Sequence, residues 1–513
     1  MFSTLLQRIK KIVSLSVSRW DGLLLLWILL LNIALGYRIN LILVICTFLG
    51  IKLARSVSTQ FFVFLIAIFS VIGLLYAPTG VIYGPPDVNV VGSFLYTTPE
   101  ESLGFIKQTP YYVIILGLAI FILGIVLIRN RSLLPAISKK FRVITTVIFV
   151  LIFSIGPLTK KRINLPALRF ISDLSTAYHA VSRQNQDYAA IMQKKPIWHP
   201  SVGQRHYQTY ILVIGESVRR DYVHAFGGQY ANTPWLDKAP ATLFTNYLSA
   251  GPATVISLTN TLVYKADREK QLNNSIVTLA EKSGLDTWWL SNQGVKSHSD
   301  SPIARIAKSA NHTSFINQGK ADYSAKSSDE NLLPLLENVL KNHNGNNLII
   351  LHLMGSHPRA CDRTQGRFTQ DIGSPELSCY SQSIAMTDAL LSKVSALAQH
   401  YTKSWTMMYF SDHGLSYVDR HTSSAYLTHG DKTKQNYEVP FFILNSDATQ
   451  QKVIRQRRSA LDFLTTFSQW LRVQDAQIPN SCNMLSDDNC DDVHDVFDFN
   501  EKLQNYDTLP SVP

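Results

Sequence analysis

The chain has 513 residues, of which 46% are hydrophobic and 17% charged, with a formal net charge of +11. That is long for one domain and poor in charge for a wholly soluble protein. The excess charge is confined to residues 1–162, where 16 Lys and Arg face four acids (Asp21, Asp87, Glu100, Glu101), a net of +12, while the rest carries 32 against 33 and nets −1. A near-neutral main body exerts no general pull on polyanions, and this excludes nucleic acid as a partner.

Five apolar runs come first: Gly22–Tyr37, Ile39–Ile51, Phe61–Tyr76, Tyr111–Ile128 and Phe141–Leu158. A membrane-spanning helix needs about 20 residues, so the second run is short and the first and third need their flanks. Five runs in tandem with basic flanks nevertheless predict a five-span transmembrane domain over residues 1–160. A cleaved signal peptide is excluded, since apolar runs continue beyond the first. Arg8, Lys10, Lys11 and Arg19 precede the first run, and Lys52 and Arg55 follow the second. Arg129, Arg131, Lys139, Lys140 and Arg142 follow the fourth, whereas the opposite loops hold only Arg38 and Lys107. Positive charge stays in the cytoplasm, which predicts a cytoplasmic N-terminus and, after five spans, an outer main body. Lys160, Lys161 and Arg162 run against that rule.

Residues 161–208 are predicted to form a juxtamembrane linker. Leu168, Ile171, Leu174, Tyr178 and Val181 recur there at helical spacing, as in a helix lying on a membrane surface. Beyond it, over 209–513, short apolar runs alternate with helical patterns, the signature of an α/β domain with a mostly parallel sheet. The predicted strands are Tyr210–Ile214, Thr287–Leu290, Leu348–Leu353, Trp405–Phe410 and Val439–Leu444. The predicted helices are Asp329–Leu340, Ile384–Ala398 and Ala460–Leu471. Cys361/Cys379 and Cys482/Cys490 are close pairs in a body placed in an oxidising compartment, and they read as two disulfides. The acidic tail from Cys490 to Pro513 is expected to be loosely held.

In open α/β sheets, ligands gather beyond the carboxyl ends of the strands. Gly215-Glu216-Ser217 follows the first predicted strand, Met354-Gly355-Ser356-His357 the third and Ser411-Asp412-His413-Gly414 the fourth, with His429-Gly430 a little later. Carboxylates and imidazoles meeting at several strand ends suit a borderline metal such as zinc. A lone Glu216 could equally cap a helix; the joint pattern is harder to explain that way. Ser217, Thr254, Ser257 and Thr259 all remain open as nucleophiles on these grounds.

Together with Gly251-Pro252-Ala253-Thr254, these motifs resemble in order and spacing those of the bacterial phosphoethanolamine transferases of the alkaline phosphatase/sulfatase superfamily. The resemblance runs over nearly the whole chain, since that family has five spans followed by a periplasmic catalytic domain. It implies a bacterial inner-membrane enzyme with a sulfatase-like periplasmic domain. Glu216, Asp412, His413 and Thr254 would hold one tight zinc ion, with a second site allowed, and Thr254 would be the catalytic nucleophile, activated by the metal. His357, His429 and Lys296 match substrate-binding positions. Thr97 and Glu101 match head-group contacts, although Glu101 also completes a capping box begun at Thr98. His352 reads as structural, and His421 has no counterpart in the motif set.

Three departures mark a divergent branch. Ser93 stands where the family has Asn, and Ala250 and Asn260 stand where many members have a cysteine pair flanking the nucleophile. The implied reaction moves phosphoethanolamine from phosphatidylethanolamine in the membrane, through a phosphothreonine-type intermediate, to a cell-envelope glycan or glycolipid (lipid A, lipopolysaccharide core or periplasmic glucan). The alternatives are a phosphoglycerol transferase using phosphatidylglycerol, a simple phosphatase or sulfatase, and a non-catalytic membrane sensor on the same fold.

Overall fold

The computed structural model describes residues 18–96, 102, 105–106, 109–134, 137, 141–147, 165–267, 269–294, 301–316, 327–343, 345–490 and 494–512. The chain divides into two compact units, Met1–Phe94 with Phe105–Ser182, and Leu95–Gly104 with Arg183–Pro513.

The first unit is helical: α1 (Arg19–Ala34), α2 (Leu41–Val57), α3 (Thr59–Tyr83), α4 (Val88–Tyr96), α5 (Tyr111–Arg129) and the start of α6 (Pro166–Met192). Ser18 and Asp21 close a capping box at the start of α1, and Asn40 and Ser58 cap α2 and α3. Leu24, Trp27, Ile28 and Leu31 form one buried face of α1 and pack in a common cluster with Phe62 and Ile66 of α3 and Ile120 of α5. The Trp27 indole donates to Ser70 Oγ at 3.0 Å. Among the described residues of this unit two charges are buried, Lys52 and Asp21, paired at 2.6 Å and each about 5% exposed. Among the described residues, α3 and α5 are the helices long and apolar enough to cross a membrane. The helices α1 and α2, at 16 and 17 residues, fall short of that length. The run predicted at Phe141–Leu158 is helical over 141–147, and its remainder lies outside the described residues. Among the described residues, therefore, two of the five predicted spans meet the length and composition that crossing requires. On α6, Leu168, Ile171, Leu174 and Tyr178 remain exposed while Phe170, Ala177 and Val181 are buried.

The second unit is built on an eight-stranded sheet. Its strands are β1 (Thr209–Gly215), β2 (Thr242–Phe244), β3 (Asp286–Ser291), β4 (His312–Phe315), β5 (Asn347–His352), β6 (Trp405–Ser411), β7 (Phe441–Asn445) and β8 (Lys452–Ile454), in the spatial order β8-β2-β7-β6-β1-β5-β3-β4. The sheet is mixed. Strands β6, β1, β5, β3 and β4 run parallel, whereas β7 is antiparallel to both β6 and β2. Only two of the seven pairings depart from parallel, and both come from the segment read as a fifth parallel strand. Along β1, Tyr210, Leu212 and Ile214 join one apolar cluster and Ile211 and Val213 the other, so both faces of the sheet are covered. The helices α7 (Thr254–Thr261) and α10 (Phe463–Leu471) contribute to the first cluster, and α8 (Leu333–Asn342) and α9 (Pro375–Tyr401) to the second. The predicted helices at 329–340 and 460–471 each begin with a tight 3-10 turn, Asp329–Leu332 and Ala460–Asp462.

Both cysteine pairs are bonded, Cys361–Cys379 and Cys482–Cys490, with Cα separations of 4.9 and 5.7 Å. The tail departs from expectation. It forms a hairpin of β9 (Asp495–Phe497) and β10 (Leu503–Asn505), with Val496 fully buried and Tyr506 nearly so. Main-chain hydrogen bonds hold it, and an acidic composition does not reveal those.

Candidate active site

The sheet register builds the site. Gly215 of β1 pairs with Ser411 of β6, so Glu216 and Asp412 leave adjacent strands side by side. On the other flank Ile214 pairs with His352, which brings the Leu353–His357 loop to the same edge. Ser217 takes a left-handed conformation (φ 60°) that turns the chain sharply after Glu216. Its amide donates to Asp412 Oδ1 at 3.0 Å, and its carbonyl accepts from the Tyr380 hydroxyl at 2.7 Å. Gly355 has φ +45°, and a side chain there would lie 2.9 Å from the Glu216 carbonyl oxygen, so the two loops touch main chain to main chain. Asp329 fastens that loop by accepting from the amides of Met354 and Gly355 at 2.8 and 2.9 Å.

Thr254 is the first residue of α7, reached by an extended Ala253. Its hydroxyl donates to Glu216 Oε2 at 3.0 Å and lies 3.5 Å from His413 Nε2. The Ser257 hydroxyl donates to the Asp412 carbonyl at 2.5 Å and ties α7 to the β6 loop. Ser217, Ser257 and Thr259 are at most 1% exposed, with their hydroxyls committed to neighbouring acceptors. Thr254 alone of the four candidates is partly exposed.

Glu216, Asp412 and His413 bring one ligand atom each to within 4.8 Å of one another. The Gly414 carbonyl, 2.8 Å from His413 Nδ1, can only accept. Nδ1 therefore carries the proton, and Nε2 faces Glu216 Oε1 at 3.4 Å and Asp412 Oδ2 at 3.5 Å. Asp412 Oδ2 is buried without a hydrogen-bond partner. Burial and the charge of Glu216 push the Asp412 carboxyl up to about 8. Burial opposes the charge of His413, yet Asp412 and Glu216 hold its imidazole up at about 9. Burial likewise opposes ionisation of Glu216, but the hydrogen bond and charge of His413 keep its carboxyl well below the usual range. Two crowded carboxylates, an orphaned oxygen and an imidazole turned Nε2-inward form a donor set that fits a small dication such as zinc.

His357 and His429 stand beside this group and share Glu216 with it as a second possible cluster. Their rings are 5.8 Å apart, and His429 lies 4.9 Å from His413. His352 is 4% exposed, and burial pushes its imidazole down to about 4, as suits a structural residue. Lys296, Thr97 and Glu101 lie outside the described residues. Ser93 is exposed on α4 of the first unit. Two residues not singled out from sequence join the site. Gln293 contacts Glu216 Oε2 at 3.4 Å and donates to the Leu353 carbonyl at 2.8 Å; it follows β3, where the strand-end rule could have found it. Asp329, in a segment read as the start of a helix, gave no such signal.

Residues 208–473 match the Sulfatase family, so the sheet and its carboxyl-edge site define a sulfatase-type domain. The chain is 35% identical over 476 residues to the phosphoethanolamine transferase OpgE of Escherichia coli (strain K12), covering 90% of each. It is 32% identical over 369 residues to a putative phosphoethanolamine transferase of Haemophilus influenzae, covering 69% of this chain and 74% of that one. The chain belongs to the phosphoethanolamine transferases and is an enzyme of that class. Among solved structures, the C-terminal periplasmic domain of EcEptC from Escherichia coli, in complex with Zn, shares the fold. Its TM-score is 0.54 at 20% identity, covering 61% of this chain and 97% of that domain.

Proposed function

We propose that this protein transfers phosphoethanolamine from phosphatidylethanolamine to a cell-envelope glycan or glycolipid in two steps through Thr254. The observation that carries the reading is the meeting of a partly exposed Thr254 hydroxyl with Glu216 Oε2, beside an Asp412 oxygen that accepts no hydrogen bond. Glu216, Asp412, His413 and Thr254 would hold zinc, which as a Lewis acid stabilises negative charge on oxygen. The Zn complex of the EcEptC periplasmic domain supports that choice of metal.

In the first step Thr254 Oγ attacks the phosphorus of the lipid. A bond forms between Thr254 Oγ and phosphorus, the bond from phosphorus to the glycerol oxygen breaks, and diacylglycerol leaves with a proton. The Thr254 hydroxyl already directs its proton toward Glu216. His357 and His429, at the same edge, would hold the phosphoryl oxygens, and His357 would pass a proton to the departing oxygen. In the second step an acceptor hydroxyl oxygen attacks the same phosphorus, the bond from phosphorus to Thr254 Oγ breaks, and the acceptor's proton goes to Thr254 Oγ. One site thereby serves both half-reactions.

The apolar N-terminal unit supports a lipid donor and an inner-membrane location. The basic loops support a cytoplasmic N-terminus and a periplasmic catalytic domain. The reading is tested with vesicles containing head-group-labelled phosphatidylethanolamine or phosphatidylglycerol and isolated envelope glycans and glycolipids as acceptors. Label should pass from phosphatidylethanolamine to an acceptor; transfer only from phosphatidylglycerol would refute the donor assignment.

A further inference from the structure

The loop before Thr254 has no covalent brace, because the five cysteines of the chain are Cys46 and the two bonded pairs. What grips it is the C-terminal hairpin. The Phe497 amide donates to the carbonyl of Ala250, four residues before Thr254, at 2.9 Å. From the hairpin tip, Glu501 pairs with Lys270, whose ammonium also donates to the Thr259 hydroxyl on α7 at 2.9 Å. The same hairpin holds the loop that follows His429. The Phe499 amide donates to Asp431 Oδ2 at 3.1 Å, and Gln504 Nε2 donates to the Asp431 carbonyl at 3.0 Å and to the Tyr437 hydroxyl at 2.7 Å. Tyr437 in turn donates to the Phe497 carbonyl at 3.1 Å. Further along, the Val512 amide donates to Gln435 Oε1 at 2.7 Å and the Val512 carbonyl accepts from Arg219, three residues after Glu216, at 3.0 Å.

We infer that residues 495–512 form a strap that sets the position of Thr254 relative to His429 and Glu216, with the Phe497 amide and the Gln504 side chain as its positioning groups. The inference rests on the reading of Thr254 as nucleophile. Its physical basis is that three loops bearing reactive groups are each tied to one short segment, in addition to the direct bonds among them from the Ser249 amide to the Tyr437 carbonyl at 2.8 Å and from Thr254 to Glu216 at 3.0 Å. A hydroxyl that must attack in line loses much of its rate with a small misplacement, whereas lipid binding and metal affinity depend on other groups.

The test compares Phe497→Pro, Phe497→Ala and Gln504→Ala in the purified full-length protein, assayed in phosphatidylethanolamine vesicles. Proline removes the amide proton, and alanine keeps it while losing the ring that lies over Lys265. Phe497→Pro should lower kcat about ten- to a hundredfold, with the KM for lipid, the zinc content and the melting temperature matching those of Phe497→Ala. Gln504→Ala should lower kcat in the same selective way, and it carries the test should the proline variant fail to fold. Wild-type kcat in a folded Phe497→Pro or in Gln504→Ala would overturn the strap, as would a kcat loss that only tracks lost zinc or lost melting temperature. Thr254→Ala, run in parallel, separates the two readings: if it stays active the nucleophile assignment is wrong, and if it is dead while the strap variants are normal only the strap is wrong.

Discussion

The two units of this chain put charge to opposite uses. In the N-terminal unit a single pair, Asp21 with Lys52, is buried at 2.6 Å, each partner neutralising the other, while residues such as Leu41, Phe64, Leu75 and Ile115 are left exposed. In the C-terminal unit Glu216 and Asp412 are buried next to each other with His413, and Asp412 Oδ2 accepts no hydrogen bond. In the first arrangement one cation meets one carboxylate, whereas in the second two carboxylates share one imidazole and leave an oxygen without a hydrogen bond, which suits a cation. A buried pair of that first kind is costly to break, and a buried cluster of perturbed acids beside an imidazole marks a candidate binding site. The exposed apolar residues of the first unit fit a solvent of lipid rather than water.

The sharpest way to break this contrast is to remove ligands from the second unit. Asp412→Ala and His413→Ala should each abolish zinc binding and lower transfer by about a thousandfold or more. Membrane insertion should be unchanged, because the site lies at a sheet edge and not in the core. Metal analysis of the purified variants and a transfer assay check this, and normal turnover in either variant would contradict the metal assignment. In the first unit, Asp21→Asn leaves the Lys52 charge buried and unpaired. It should destabilise that unit by about 3 kcal/mol without changing zinc content, and Asp21→Asn with Lys52→Met should recover much of the loss. Thermal unfolding in detergent micelles would show it. A smaller effect is expected for Cys361→Ser, which opens a short loop and should cost about 2–3 kcal/mol. Peptide mapping without reductant should find Cys361 joined to Cys379 in the wild type, and free thiols at both positions would contradict the bond.

Much of the second unit was legible because its central strands are continuous apolar runs, which only a buried sheet explains. Once strands were placed, whatever followed them was a candidate for one edge, and Glu216, Asp412, His413 and His357 do meet there. Gln293 obeys the same rule and was passed over because an amide carries less obvious chemistry than a carboxylate. The three-residue strands β2 and β8 have too few residues to show alternation, and β7 gives no local sign of its reversed direction. The choice among four hydroxyls depended on burial, which spacing does not encode: Ser217, Ser257 and Thr259 are enclosed and Thr254 is not. The tail was misread as loose for a related reason, since its attachments to Ala250 and Asp431 join residues far apart in the chain and each uses at least one main-chain group. In the first unit, the short runs behind α1 and α2 were read as spans by counting flanks, and their helices remain shorter than a bilayer ordinarily requires.

The central claim is that Thr254 becomes covalently loaded at the cation site, and intact-mass analysis of the protein after incubation with phosphatidylethanolamine tests it most directly. One phosphoethanolamine adduct should appear on the peptide containing Thr254, persist at a reduced level in Thr254→Ser and vanish in Thr254→Ala. An adduct on Ser217, Ser257 or Thr259, or full transfer activity in Thr254→Ala, would contradict the account.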